Sequence, residues 1–258
     1  MKLVTWNVNS LNVRQEYVSG FLDRVQPDVL ALQELKLETH KVPRELFESR
    51  GYHLAVFGQP QWNGVLIASK GPIEELQRGL EVPGAEEIEA RLLAVRTLGL
   101  TVVDVYCPQG QSVESPKFPY KLAFFDALVA WLSARFSPEE ALVLLGDYNV
   151  APAARDLYDP VGLAGVPSFH PEEHQRLEAL RRFGLEDVCE PFLPAGTYSF
   201  WDYRGGAFRF NQGMRIDHIW VTPPLRDRVK GASVSRDDRK KRGELVPSDH
   251  APVILELG

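Results

Sequence analysis

The middle of the chain reads HLAVF at residues 53–57, GVLIAS at 64–69, LLAVR at 92–96 and LTVVDVY at 100–106. Such apolar, β-branched runs are typical of short strands, and the glycines at positions 58, 71 and 99 supply turns around them. No helical pattern separates the four runs, so we expect their strands to pair as antiparallel neighbours. This region therefore predicts largely antiparallel sheets.

The segments on either side of this region add helices and further strands. We predict a strand at Lys2–Trp6, a helix at Arg14–Val25 and a strand at Val29–Gln33 before it. After it we predict helices at Tyr120–Phe136 and His174–Phe183 and strands at Ala141–Leu145, Ile216–Val221 and Val253–Leu257. The early β-α-β order alone would also fit a doubly wound parallel sheet, but the helix-free middle favours an α/β fold of two packed, mixed sheets flanked by helices. No linker, repeat or low-complexity segment divides the chain, so we predict one domain, residues 1–258.

The composition excludes several classes of protein. The 258 residues are 44% hydrophobic and 25% charged, which is typical of a globular protein with a large core. No apolar run approaches the roughly 20 residues of a membrane-spanning helix, and the first residues lack the apolar region of a secretory signal. Two cysteines, Cys107 and Cys189, give neither a disulfide framework nor a zinc site, so we expect a cytoplasmic protein with buried, unreactive thiols.

The net charge of −6 argues against a uniformly basic protein that coats DNA. It argues only weakly against an enzyme that acts on nucleic acid. Such an enzyme concentrates carboxylates at its centre and distributes its basic residues around the rim.

Four clusters of polar side chains lie at the ends of predicted strands, where a rigid sheet can direct them into a cleft. These clusters read WNVN at residues 6–9, QELK at 33–36, GDYN at 146–149, and RIDH at 215–218 together with SDHAP at 248–252. Each taken singly is most simply a turn or a solvated charge. Together they place several carboxylates at strand ends, and carboxylates that repel one another need a cation. Oxygen ligands without a cysteine or histidine set favour Mg²⁺ or Mn²⁺ over zinc.

In this order and spacing, with YCPQG at residues 106–110 and GMRID at 213–217, the blocks resemble the exonuclease III family. This family comprises bacterial-type abasic-site endonucleases and 3′-exonucleases of the endonuclease/exonuclease/phosphatase superfamily. The resemblance extends from the first predicted strand to the last. It implies a four-layered α/β sandwich, in which two mixed sheets pack face to face with helices outside, and the activity of a DNA repair nuclease.

The resemblance also implies the ligands of a catalytic Mg²⁺ or Mn²⁺ ion. Glu34 matches the metal-binding glutamate of the family, and Asn7 and Asp249 match residues near the metal, directly or through water. A divalent ion neutralises the charge that accumulates on the phosphoryl oxygens and stabilises the leaving 3′-oxygen. The sequence is compatible with one ion or with two.

Five further residues match catalytic positions of the family. Asp147 matches the aspartate that orients or deprotonates the attacking water, and Asn149 matches its hydrogen-bonding neighbour. Asp217 and His250 match an aspartate–histidine pair, in which the carboxylate orients the imidazole and favours its cation. Tyr106 matches a tyrosine that contacts phosphate. From the sequence, the general base could be Asp147, His250 or a Tyr106 phenolate.

Phe200, Met214 and Ile216 match apolar residues that, in the family, line a pocket for a flipped-out abasic deoxyribose. An abasic sugar has no base stack to lose, and a small apolar pocket excludes an intact nucleotide by its size. Methionine at position 214 departs from the bulkier aromatic residue of some relatives, and its flexible side chain predicts looser pocket walls. We predict that Trp201, in the same segment, packs into the core.

We predict that Lys36, Gln109 and Arg215 contact the DNA backbone. Further basic candidates are Arg91, Lys117, Arg204, Arg209 and the run RKKR at residues 239–242. Contacts of this kind position a duplex without reading its sequence. The expected partner is therefore double-stranded DNA with an abasic site or a 3′-end, bound by a monomer that needs no membrane and no obligate protein partner.

Two alternatives keep the fold and change the function. Inositol-phosphate phosphatases and sphingomyelinases of the same superfamily share the Glu, Gly-Asp-x-Asn and Ser-Asp-His blocks, so the substrate could be a phosphoester outside DNA. The YCPQG block and the set of Phe200, Met214 and Ile216 favour the DNA-acting branch. A non-enzymatic scaffold is the other alternative. It predicts the loss of at least one ligand or base, and none is lost here.

Overall fold

The computed structural model describes residues 1–258, which form two six-stranded β-sheets packed face to face between outer layers of helices. The strands are β1 (Lys2–Asn7), β2 (Val29–Gln33), β3 (His53–Phe57), β4 (Val65–Ser69), β5 (Glu74–Arg78), β6 (Leu92–Thr97), β7 (Leu100–Tyr106), β8 (Leu142–Asp147), β9 (Glu186–Asp187), β10 (Asp217–Val221), β11 (Val229–Val234) and β12 (Val253–Leu257). The helices are α1 (Leu11–Val25), α2 (Glu45–Glu48), α3 (Lys117–Arg135), α4 (Pro171–Phe183) and α5 (Pro223–Arg226).

Each sheet contains one parallel pair of strands among antiparallel neighbours. The first sheet has the order β11-β12-β1-β2-β4-β3, and the second has the order β5-β6-β7-β8-β10-β9. Strand β1 is parallel to β2, and β7 is parallel to β8, whereas the other pairs are antiparallel. The predicted four-layered sandwich of two mixed, largely antiparallel sheets is therefore confirmed.

Alternation of side chains along the strands divides the apolar residues among three layers. On β1, Leu3 points between the two sheets, whereas Val4 and Trp6 pack beneath α1. Helices α3 and α4 cover the outer face of the second sheet with a separate apolar cluster. Each fully buried leucine or phenylalanine in these layers stabilises the fold by about 1.5–3 kcal/mol. The helices and the inter-sheet layer thus fix both sheets as a rigid frame.

The predicted elements differ from the structure in two systematic ways. The three long helices each begin three residues before their predicted start, and the first turns of α1 and α3 contribute the buried residues Leu11 and Phe118. The strands β5, β9 and β11 were not predicted, since they are short or half-exposed and lie at or next to a sheet edge. No helix combines the length and apolar character needed to cross a bilayer.

The topology brings the polar clusters to one end of the sandwich. Because β1 and β2 are parallel, Asn7 is paired in register with Gln33, directly before Glu34. Because β7 and β8 are parallel, Tyr106 is paired with Asp147, and antiparallel β10 brings Asp217 opposite Asp147. Strands β1 and β8 face each other across the core. The two sheets therefore present their polar strand ends toward each other.

Candidate active site

Asn7 joins the two sheets at the centre of the site. Its amide nitrogen Nδ2 donates to Glu34 Oε1 at 2.8 Å and to Asp147 Oδ2 at 2.9 Å. Asp147 Oδ1 accepts from the backbone N–H of Asn149 at 2.8 Å, and the Asn149 amide lies 3.3 Å from Asp147 Oδ2. Asn7 thus connects a carboxylate of the first sheet with one of the second, although 140 residues separate Asn7 from Asp147.

His250 and Asp217 form a buried pair beside Asp147. His250 Nδ1 lies 2.8 Å from Asp217 Oδ2, and His250 Nε2 lies 3.8 Å from Asp147 Oδ2. Burial alone would lower the pKa of His250, but the carboxylates of Asp217 and Asp147 outweigh it and raise the pKa to about 10. The imidazole is therefore a cation at neutral pH, with its Nδ1–H held by Asp217 and its Nε2–H directed toward Asp147.

Asp147 lies in an environment that weakens its acidity. The pKa of its carboxyl group is raised to about 7, and burial is the largest cause. The negative charges of Asp217 and Glu34 also raise this pKa, whereas the positive charge of His250 and the hydrogen bond from the Asn7 amide lower it. A carboxylate with its pKa near neutrality is suited to accept a proton from water. Asp147 thus has the environment of a general base.

Tyr106 has the environment of a hydrogen-bond donor. Burial and the charge of Glu34 raise the pKa of the Tyr106 hydroxyl well above its usual value, although the Arg91 guanidinium opposes them. Arg91 lies 4.8 Å from the centroid of the Tyr106 ring. In this arrangement the hydroxyl keeps its proton at neutral pH and can donate a hydrogen bond to an anionic ligand.

Glu34 and Asp249 lie on the open side of the site. Lys36 Nζ lies 3.0 Å from Glu34 Oε2 and donates to Asn9 Oδ1 at 2.6 Å, and Asn9 Nδ2 donates to Asp249 Oδ1 at 2.9 Å. Burial would raise the pKa of Glu34, but the charge of Lys36 and the Asn7 amide outweigh it and keep the pKa below its usual value. Glu34 is therefore an ionised carboxylate that could serve as an oxygen ligand.

Two groups of side chains could hold a metal ion. Asp147, Asp217 and His250 place ligand atoms within 4.8 Å of one another. However, a histidine that carries a proton on both nitrogens has no lone pair for a metal. Glu34 and Asp249 offer ionised or polar oxygens at the open edge, beside Asn7, and this donor set fits Mg²⁺ or Mn²⁺. In the structure the Lys36 ammonium supplies the positive charge against Glu34.

Replacing Glu34 with alanine should weaken metal binding. We expect the dissociation constant for Mn²⁺, measured by electron paramagnetic resonance, to rise by at least about 10-fold, since a carboxylate ligand is lost. Glu38→Ala is the matched control, because Glu38 pairs with Lys41 and lies outside the cluster. Unchanged Mn²⁺ affinity in the Glu34 variant would exclude Glu34 as a ligand.

Phe200, Met214 and Ile216 lie together beside His250. The Phe200 ring packs against the His250 ring with their centroids 4.9 Å apart, and the backbones of Phe200 and Met214 exchange two hydrogen bonds at 3.0 Å. Phe200 and Met214 are half-buried, whereas Ile216 is buried beneath them with Leu157. The three residues thus form an apolar surface at the edge of the polar cluster, with Ile216 as its floor.

A groove of about 560 Å³ leads away from Glu34 and Tyr106. Lys36 and Gln109, which were predicted to contact DNA, line it together with Arg91 and Lys117. Trp62, which is not among the predicted site residues, also lines the groove and is 66% exposed. Its position in the loop between β3 and β4 is the sequence signal for this exposure, because connecting loops lie on the protein surface.

Other predicted basic residues lie elsewhere. Arg204 is exposed and pairs with Asp202, Arg209 is exposed, and Arg239 is buried and donates to the backbone oxygen of Trp201. Trp201 and Cys107 are both fully buried, as predicted. Burial raises the pKa of the Cys107 thiol well above its usual value, so this cysteine is unreactive.

The prediction that Arg215 contacts the DNA backbone is wrong. Arg215 is 1% exposed, and its guanidinium donates to Asp156 Oδ1 at 2.8 Å and to Asp187 Oδ2 at 2.7 Å. It also lies 3.1 Å from His218 Nδ1. A guanidinium enclosed by two carboxylates cannot reach a phosphate, so Arg215 supports the fold behind Asp217.

Arg215→Met should destabilise the protein by about 3–5 kcal/mol, because it leaves two buried carboxylates without their counter-charge. The free energy of unfolding in urea measures this effect. Arg204→Met, which changes an exposed arginine in an ion pair with Asp202, should change stability by less than about 0.5 kcal/mol. Equal stability of both variants would show that Arg215 has no structural role.

Comparison with known proteins agrees with this geometry. A family model described as the Endonuclease/Exonuclease/phosphatase family matches residues 4–250. Exodeoxyribonuclease III of Haemophilus influenzae is 32% identical to the chain, and the alignment covers 100% of both proteins. The 3′ phosphatase NExo from Neisseria, solved with a product DNA hairpin, is 38% identical with a TM-score of 0.91, and the alignment covers 100% of this chain and 99% of that one.

An AP endonuclease from Archaeoglobus fulgidus is 33% identical with a TM-score of 0.92, again over 100% of this chain and 99% of that one. The matches include full-length relatives and solved structures, and they extend across both sheets and all the polar clusters. The chain therefore belongs to the endonuclease/exonuclease/phosphatase family, within its exonuclease III branch.

Proposed function

We propose that this protein is a Mg²⁺- or Mn²⁺-dependent DNA repair nuclease. It hydrolyses phosphodiester bonds 5′ to abasic sites and at the 3′-ends of duplex DNA. The observation that carries this proposal is the junction at Asn7, which holds Glu34 and Asp147 together beside the His250 cation. The names of the relatives from Haemophilus influenzae and Archaeoglobus fulgidus support the same activity.

We propose separate tasks for the side chains of the site. Asp147 accepts a proton from the attacking water, while the backbone N–H of Asn149 fixes the orientation of the carboxylate. The Nε2–H of His250 donates a charge-assisted hydrogen bond to a non-bridging phosphoryl oxygen, and Asp217 holds the ring in place. The Tyr106 hydroxyl donates a hydrogen bond to the phosphate. Glu34, with Asn7 and Asp249 nearby, would hold a divalent ion, which would neutralise charge at the phosphoryl and leaving oxygens.

The apolar surface beside His250 supports the preference for abasic sites. Phe200 and Met214 would contact the apolar face of a deoxyribose without a base, and Ile216 would close the floor beneath them. An abasic nucleotide enters such a pocket at little cost because it leaves no stacked base behind. The methionine at position 214 predicts that the pocket discriminates less sharply than one with an aromatic wall.

The groove beyond Glu34 supports binding of the DNA backbone. Lys36, Arg91 and Lys117 line it, and Gln109 and Trp62 complete its rim. Cations placed along a groove neutralise phosphates without reading bases. We propose that the duplex crosses this groove with the scissile phosphate between Tyr106 and His250.

We propose that residues 1–258 act as one domain and as a monomer in the cytoplasm. The two sheets share an apolar layer, and the site takes Asn7 and Glu34 from one sheet and Asp147 and Asp217 from the other. These residues come from one chain, so the proposed reaction does not require a second copy.

The test uses a duplex that carries one abasic analogue, incubated with and without EDTA and followed by sizing of the products. We expect Mg²⁺-dependent incision directly 5′ to the lesion and shortening from the 3′-end, with both activities lost in EDTA. An intact duplex in the presence of Mg²⁺ and Mn²⁺ would contradict the proposed function and favour a phosphoester outside DNA. Cleavage that persists in EDTA would contradict the metal requirement.

A further inference from the structure

A buried ion pair lies directly behind the active site and takes no part in the mechanism described above. Lys121 on α3 and Glu173 on α4 are both fully buried, and the Lys121 ammonium contacts Glu173 Oε1. Lys121 Nζ also donates to the backbone oxygen of Asn149 at 2.8 Å and to that of Gln109 at 3.3 Å. One ammonium group therefore holds the loop that carries Asn149 and the loop that carries Gln109.

The carboxylate of Glu173, which pairs with Lys121, contacts a third loop. Glu173 Oε1 accepts from the backbone N–H of Ser168 at 3.0 Å, and Oε2 accepts from that of His170 at 3.0 Å. The backbone oxygen of Ser168 in turn accepts from the N–H of Ala151 at 2.8 Å. Glu173 is thus connected to the loop after Asn149 by a second route, and the ion pair joins three loops to two helices.

Several hydrogen bonds hold the backbone of Asn149. Its φ of 52° lies in the left-handed region, which asparagine adopts more readily than other non-glycine residues. The same residue donates its backbone N–H to Asp147 Oδ1 and its side-chain amide to the backbone oxygen of Cys107, at 2.9 Å. Rotation of this backbone would move the group that orients the Asp147 carboxylate.

We propose that Lys121 is a positioning residue for phosphodiester hydrolysis, which fixes the carbonyl groups of Asn149 and Gln109 and thereby the orientation of Asp147, with Glu173 as its counter-charge. The proposal rests on the proposed function, because its effect is measured on that reaction. Lys121 does not contact the substrate.

A structural role and a positioning role can be separated, because exchanging both members of a buried ion pair for neutral side chains often leaves stability unchanged or raises it. The double variant Lys121→Met/Glu173→Gln removes both charges. The new glutamine side chain on α4 would still offer an acceptor to the loop at Ser168. If Lys121 only stabilises the fold, this variant should keep its turnover number.

The experiment measures kcat, KM for an abasic duplex, Mn²⁺ affinity and the urea midpoint in the double variant. We expect kcat to fall by about 10- to 100-fold, as a displacement of catalytic groups of about 1 Å can cause. We expect KM and Mn²⁺ affinity to stay close to those of the unmodified protein. The urea midpoint should show a folded protein with a modest loss of stability, because the carbonyl groups of Asn149 and Gln109 lose their donor. The matched control is Arg176→Met, because Arg176 also joins α4 to α3, through Asp126, but contacts none of the three loops.

Unchanged kcat in a folded double variant would overturn the proposal, and so would an equal loss of kcat in Arg176→Met. If the double variant does not fold, Lys121→Arg takes its place. It keeps the charge against Glu173 but shifts the donor atoms, so we expect lower kcat at unchanged KM, and full kcat would overturn the proposal. Absence of DNA cleavage by the unmodified protein and by Arg176→Met would instead contradict the proposed function.

Discussion

Asp147→Asn should reduce turnover by about 10³-fold, within the range that a general base contributes, while the protein remains folded. The amide has nearly the shape of the carboxylate but cannot accept a proton from water. The oxygen of the new amide can accept from the Asn149 backbone N–H, whereas the hydrogen bond from Asn7 Nδ2 is lost, because an amide nitrogen does not accept. Single-turnover cleavage of an abasic duplex measures the rate, and fluorescence anisotropy measures DNA affinity.

The matched control for this variant is Asp202→Asn, which changes an aspartate in a surface ion pair with Arg204. DNA affinity of the Asp147 variant should equal or exceed that of the unmodified protein, because a negative charge near the phosphate is lost. Cleavage at a near-normal rate would remove Asp147 from the mechanism.

His250→Ala should reduce the rate by about 10²- to 10³-fold, or about 3–4 kcal/mol, the loss expected for one donor to a developing oxyanion. The protonated ring donates to Asp217 and directs its other N–H toward Asp147. Alanine removes the cation and also the surface against which the Phe200 ring packs. Steady-state kinetics should show the loss mainly in kcat, because the interaction strengthens as charge develops on the phosphoryl oxygen.

His53→Ala is the control for this substitution, since His53 is exposed at the start of β3, at the opposite end of the first sheet from Gln33 and Glu34. Its kinetics should match those of the unmodified protein. A loss of less than tenfold in the His250 variant would assign His250 a structural role.

The fold could be predicted from the sequence because the decisive strands are apolar and central. The boundaries of β2, β3, β7 and β12 agree with the prediction at both ends. Edge strands such as β5 carry polar residues on both faces, so they lack the alternation that marks a half-buried strand. The sequence pattern indicates which residues are buried, so it does not identify a strand that is exposed.

The candidate site could be predicted in its parts but not in its assembly. The position of Asn7 and Glu34 after parallel strands indicates that they are neighbours. Their contact with Asp147 depends on how the second sheet packs on the first, and nothing in the spacing of the residues specifies it. The resemblance to a family supplied that information.

Arg215 shows why residue type alone misleads. Its neighbours in the sequence, Ile216 and Asp217, are both site residues, which favoured a place in the cleft. Its two carboxylate partners are 59 and 28 residues away in the sequence, and neither belongs to a recognised motif. Lys121 was missed for the same reason, because its partner Glu173 lies on a different helix.

In the proposed mechanism, one divalent ion at Glu34 and the pair of Asp147 and His250 act on the same phosphorus atom. The most direct measurement is a crystal structure with Mn²⁺ and an abasic duplex, in which anomalous scattering locates the ion. The predicted result is an ion about 2.1 Å from a Glu34 carboxylate oxygen, with the scissile phosphate between it and His250. An ion bound by Asp147, Asp217 and His250, with Glu34 still paired to Lys36, would contradict this mechanism.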